Sequence, residues 1–170
     1  MISSVFLFSL DVNGYPCPNT YTQLQIHFVF AVKWRLAVID QPWEERLHQY
    51  ITAIVQNNNH KMLAINSAFD HTHCLAGVNP KQSISNLLEL VKGDSSEFIN
   101  KHQLTGRKFN WQSGYGAFSV SRSHLDKAVK YVHNQKMHHQ KQTFREEYLL
   151  LLKKYEIVHD EKYIFHDLLG

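Results

Sequence analysis

The sequence predicts an α+β domain of the ferredoxin-like split βαβ type: a four-stranded antiparallel sheet with two helices on one face, followed by additional C-terminal helices. Three observations predict it. Apolar residues alternate in strand fashion or recur at helical spacing in the order β-α-β-β-α-β before residue 121. Breakers such as Asn57-Asn58-Asn59 and Asn79-Pro80 fall between these runs. The chain has 170 residues and is 44% hydrophobic, which suits one domain with a proper core.

Residues 1–18 read as an N-terminal extension, an apolar start followed by the turn signals Asn13-Gly14-Tyr15-Pro16; the domain proper is expected over 19–170. Residues 22–32 alternate and then become almost wholly apolar, as a central strand does. Asp40 is placed to cap a helix with Pro42 in its first turn and Trp43, Leu47, Tyr50, Ile51, Ile54 and Val55 on one stripe. Residues 62–69 and 72–78 predict two strands joined by a tight turn near Asp70. Ser83 then caps a helix carrying Ile84, Leu87, Leu88 and Val91, which Gly93 is expected to interrupt or bend. A Gly-, Lys- and Arg-containing loop over 103–114 leads to a short strand at 115–120. Ser123-x-x-Asp126 resembles a capping box opening a helix over 123–140, with Leu125, Ala128, Val129 and Val132 inward. Thr143 caps a last helix over 143–155 that packs Phe144, Tyr148, Leu151 and Leu152, and Tyr163-Ile164-Phe165 is expected to dock after it.

Composition narrows the function. Cys17 and Cys74 cannot build a disulfide framework, and no cysteine spacing suits zinc, so a reducing cytoplasm is expected. No apolar run approaches the ~20 residues of a membrane span, and the start lacks a basic n-region. Net charge is only +3, yet residues 81–145 carry eleven basic and four acidic side chains. A basic middle suggests an anionic partner, nucleic acid first, although a solvated helix surface has the same composition.

Two short motifs carry the chemistry. In Asp70-His71-Thr72-His73 the histidines sit at i and i+2 of a strand, on one face, where they can share a metal ion or simply pack as a pair. Asp70 can orient an imidazole or merely occupy the turn. In Tyr131-Val132-His133-Asn134-Gln135 the tyrosine and glutamine sit at i and i+4 of a helix, on the border of its apolar arc; an ordinary boundary tyrosine would sit there too. A tyrosine can attack a DNA phosphodiester to leave a phosphotyrosine and a free 3′-hydroxyl. A divalent ion held by His71, His73 and Gln135 would polarise that phosphate; mixed nitrogen and oxygen donors suit Mg²⁺ or Mn²⁺ better than a thiolate-loving ion, with zinc as the alternative.

The chain resembles the single-tyrosine HUH transposases of small bacterial insertion sequences, including repeat-associated tyrosine transposases. The resemblance rests on Thr20-Tyr21-Thr22-Gln23-Leu24, His27-Phe28-Val29-Phe30-Ala31-Val32-Lys33, Asp70-His71-Thr72-His73, Leu90-Val91-Lys92-Gly93-Asp94-Ser95-Ser96, Trp111-Gln112-Ser113-Gly114-Tyr115-Gly116 and Tyr131-Val132-His133-Asn134-Gln135. It implies that Tyr131 is the nucleophile, that His71, His73 and Gln135 are the ligands of Mg²⁺ or Mn²⁺, and that the substrate is single-stranded DNA with hairpin ends. It further implies a homodimer with the tyrosine helix acting in trans. Thr72 departs from the family, which usually has a bulky hydrophobic residue between the histidines.

For DNA contacts the expectations are Lys33 and Arg35 after the first strand, Lys92, Ser95 and Ser96 on one helix face, and Arg107, Lys108 and Trp111 in the basic loop. A solvated-surface or core role is the alternative for each. Two functions follow: a transposase that cleaves and rejoins DNA, or a domesticated hairpin-binding protein without transposition activity. An RNA-binding ferredoxin-like domain would want exposed aromatics on its central strands, where Phe28 and Phe30 read as core.

Overall fold

The apolar run after residue 24 forms β1 (Gln25–Ala31), and it lies inside the sheet because nearly every one of its side chains is buried. In this computed structural model the described residues are 21–35, 38–138, 142–160 and 164, without the side chains of Arg35, Gln41, Lys136 and His138. The expected extension over 1–18 lies outside them, as do Tyr163 and Phe165.

β1 pairs antiparallel with β3 (His71–Gly77) on one side and β4 (Gly116–Ser119) on the other, and β2 (Lys61–Ser67) pairs with β3, giving the order β2-β3-β1-β4. This is the predicted α+β split βαβ sheet. Alternation then sorts β1 by face. Phe28 and Phe30 point to one core with Cys74 and Ala76, while His27, Val29 and Ala31 point to the other.

The first core is closed by α1 (Gln41–Asn57) and α2 (Ile84–Lys101). Leu47, Ile51, Leu87, Leu88 and Ile99 meet Phe30 there, and full burial of one such side chain contributes roughly 1.5–3 kcal/mol. Asp40 precedes α1 without a side-chain cap bond, whereas the Ser83 side chain accepts from the Asn86 amide at 3.2 Å. Gly93 does not interrupt α2. The helix runs through it because Leu88, Val91, Ser95 and Ile99 bury the inner face on both sides, outweighing a glycine penalty of about 1 kcal/mol.

The opposite face is covered by the C-terminal helices. α3 (Leu125–His133) packs Val132 onto Ala64 and Leu75, and α5 (Phe144–Lys154) packs Phe144, Tyr148, Leu151 and Leu152 onto Val29, Ala31 and Phe118. Between them lies the short α4 (Gln135–His138). Two expectations are corrected here. Ser123 lies inside a 3-10 turn, Arg122–His124, and is not a capping-box residue. The helix expected over 123–140 breaks at Asn134, so Tyr131 and Gln135 fall on two helices. Thr143 does cap α5 as a capping box with Glu146. Gly116 lets α5 approach: a Cβ there would lie 2.8 Å from Phe118 Cε2 and 2.9 Å from Tyr148 Cε2.

Candidate active site

The site lies on the second sheet face, in the seam between the α3 cluster and the α5 cluster. β3 places His71 and His73 there because residues two apart share a face; both are fully buried. Each imidazole is held from behind. Asp70 Oδ1 lies 2.6 Å from His71 Nδ1, and His27 Nε2 lies 2.9 Å from His73 Nδ1. The Phe144 ring stacks on His71 with centroids 4.1 Å apart, and His27 stacks on His73 at 5.1 Å. Burial, reinforced by His73, lowers the His27 pKa to about 3, so this ring is neutral.

With both Nδ1 atoms occupied, both Nε2 atoms face a carboxylate. Glu147 Oε2 lies 3.5 Å from His73 Nε2 and 3.9 Å from His71 Nε2. The other oxygen, Oε1, accepts a hydrogen bond from the Tyr131 hydroxyl and one from Gln135 Nε2 at 3.0 Å. Burial and the Glu147 charge push the Tyr131 pKa well up, so the phenol is protonated in the resting protein. His73 Nε2 is buried and makes no hydrogen bond, an orphaned donor or acceptor aimed into the cluster. Nδ1 atoms fixed from behind with Nε2 atoms converging on an acidic oxygen is how histidines are prepared for a divalent ion. The residues present therefore fit one. One ligand atom each from His71, His73 and Glu147 lies within 4.8 Å of the others.

The fold thus brings together His71, His73, Tyr131 and Gln135 from a single chain, and adds His27 and Glu147. Sequence reasoning missed both. His27 reads as one residue of the strand over 22–32, and Glu147 is not singled out on its helix. A signal for Glu147 existed: it stands three residues after Phe144 and four before Leu151, inside the apolar arc of its helix. Thr72 points to the opposite face, where its hydroxyl shares a 2.9 Å hydrogen bond with Ser67, itself 2.8 Å from His48 Nε2. That polar chain accommodates a hydroxyl where the resemblance leads one to expect a bulky apolar side chain.

The expected DNA contacts separate. Lys33, Arg107 and Lys108 line one cleft of about 160 Å³ beside the exposed Trp34. Ser96 is half-buried, and the Arg35 side chain is outside the described set. Lys92 donates to the carbonyls of Gln112 and Gly114, both at 2.7 Å, and so ties α2 to the segment leading into β4. Ser95 and Trp111 are corrected to core residues. Ser95 is fully buried, and its hydroxyl accepts from Trp111 Nε1 at 2.8 Å while the indole packs edge-on against Phe30 and Phe109. Helical spacing brings Ser95 near Lys92, but the inward arc of α2 claims it. Ser95→Ala is expected to leave DNA affinity unchanged and to cost roughly 1–3 kcal/mol of stability, because the buried indole N–H loses its acceptor. A thermal melt beside a gel shift checks both.

Fold and cluster together define a class: a split βαβ sheet presenting paired imidazoles, a carboxylate and a phenol on the face away from its two crossover helices. Residues 20–135 match the family described as Transposase IS200 like, well over half of the chain, and the protein belongs to that family. It is 26% identical over 118 residues to the ISDra2 transposase TnpA of Deinococcus radiodurans, a match covering 66% of this chain and 84% of that protein. Among solved structures, one assigned to a transposase of Deinococcus radiodurans R1 superposes with TM-score 0.57 at 22% identity, covering 70% of this chain and 95% of that one. A REP-associated tyrosine transposase bound to a REP hairpin gives TM-score 0.55 at 13% identity, covering 72% and 73%. These two likenesses speak for the fold.

Proposed function

We propose that this transposase cleaves and rejoins single-stranded DNA with hairpin ends, using Tyr131 as nucleophile beside a divalent ion held by His71, His73 and Gln135. The observation that carries this reading is the Tyr131 hydroxyl hydrogen-bonded within the same buried cluster that the paired imidazoles face. Bound there, Mg²⁺ or Mn²⁺ would act as a Lewis acid on the scissile phosphate and offset the Glu147 charge.

The chain's own groups do the rest. The Tyr131 oxygen forms a bond to phosphorus as the bond from phosphorus to the 3′ oxygen breaks. The departing oxygen takes a proton, and the new 5′ end stays on the protein as a phosphotyrosine. The phenol proton has an acceptor in place, Glu147 Oε1. A second 3′-hydroxyl reverses the reaction, so ester energy is conserved and no ATP is needed. His27 and Asp70 keep the imidazoles in register. Lys33, Arg35, Ser96, Arg107 and Lys108 guide the phosphate backbone. In the homodimer that the resemblance implies, the same helix of a second copy would take the place that α3 occupies here on its own sheet.

The test is a denaturing gel with labelled single-stranded DNA from the gene's own flanks, run with Mg²⁺, Mn²⁺ or chelator. A covalent adduct that needs the cation is the expected result. Hairpin binding without cleavage under every condition would instead favour the domesticated binding protein.

A further inference from the structure

Glu147 is a carboxylate where a core residue belongs. It lies on the inward arc of α5 between Phe144 and Tyr148 and is almost fully buried, a position that carries a desolvation cost unless the charge is matched. Its helix is anchored by the Thr143 and Glu146 capping box and by the apolar cluster with Val29, Ala31 and Phe118, so the carboxylate is held in place. Oε2 faces His73 Nε2 at 3.5 Å and His71 Nε2 at 3.9 Å. Donor atoms about 2.1 Å from a shared ion stand roughly 3.0–3.5 Å apart, so Glu147 Oε2 and His73 Nε2 already stand at about the spacing of two ligands of one cation.

We propose that Glu147 is itself a ligand of the divalent ion, through Oε2, joining His71 Nε2 and His73 Nε2. The inference rests on the metal-dependent reading above. It adds a donor that lies outside the family-matched segment 20–135 and gives an otherwise neutral donor set one negative charge. A carboxylate oxygen beside two imidazoles is a donor set open to first-row divalent ions, Mn²⁺ and Zn²⁺ alike. It also changes the part Gln135 plays: its amide N–H group holds Oε1 and aims the carboxylate, alongside any contribution from its amide oxygen. Because Oε1 also accepts from Tyr131, one carboxylate links ion and nucleophile.

The experiment is calorimetric titration of the full chain with MnCl₂, without DNA, for wild type, Glu147→Gln, Glu147→Ala and His73→Ala. Folding is checked by circular dichroism, and melts are run with and without Mn²⁺. The expected result is Mn²⁺ affinity at least ~10-fold weaker in both Glu147 variants, with the Mn²⁺-induced rise in Tm lost. Glu147→Gln preserves shape, so it decides the matter if Glu147→Ala does not fold. Wild-type affinity in Glu147→Gln, with binding abolished in His73→Ala, overturns the Glu147 assignment alone. Wild-type affinity in His73→Ala overturns the underlying metal reading.

Discussion

Tyr131→Phe is expected to abolish the covalent protein–DNA adduct, a loss of at least about 10³-fold in cleavage, while hairpin binding persists. The substitution removes one oxygen, the proposed nucleophilic atom. It also removes a hydrogen bond to Glu147 Oε1, but Gln135 Nε2 still donates to that oxygen at 3.0 Å. The net cost to stability is therefore expected to stay near 1 kcal/mol. The ring itself is kept, and with it the edge-on packing against His27 and His73 at centroid distances of 5.9 and 6.1 Å. A denaturing gel reads the adduct, a native gel shift reads binding, and a melt confirms folding. A wild-type adduct yield in the variant would remove Tyr131 from the mechanism.

His73→Ala carries the second large effect. Cleavage is expected to fall by at least ~100-fold, since even groups that only support metal ligands cost 10–100-fold when removed. The residual activity should no longer respond to Mn²⁺. The variant also strips His27 of its 2.9 Å partner in a fully buried setting, so a melt must accompany the assay. Unchanged cation dependence in a folded His73→Ala protein would place the ion elsewhere.

Much of the framework was legible in the residues because it is local. Burial on both faces wrote β1 as a continuous apolar run, and the helical stripe of α1 was read almost to its ends. The turn at Asp70 and the spacing of His71 and His73 follow from strand geometry alone. Local rules failed where two of them competed. At Gly93 a breaker lost to the apolar faces on either side, and at Asn134 a helix expected to continue stopped. At Ser95, spacing relative to Lys92 suggested a polar face, but the indole of Trp111, sixteen residues later, took the hydroxyl inward.

By itself, then, the sequence determined the β-α-β-β-α-β order and the shared face of the two histidines, both consequences of periods of a few residues. Only the tertiary structure decided what meets them. His27 reaches His73 from 46 positions away, and Glu147 reaches Tyr131 from sixteen. Such contacts depend on strand register and on which helix face is buried against the sheet. An isolated glutamate does not reveal that its neighbours will carry it into the core. Burial turns an ordinary surface carboxylate into the acidic centre of the site.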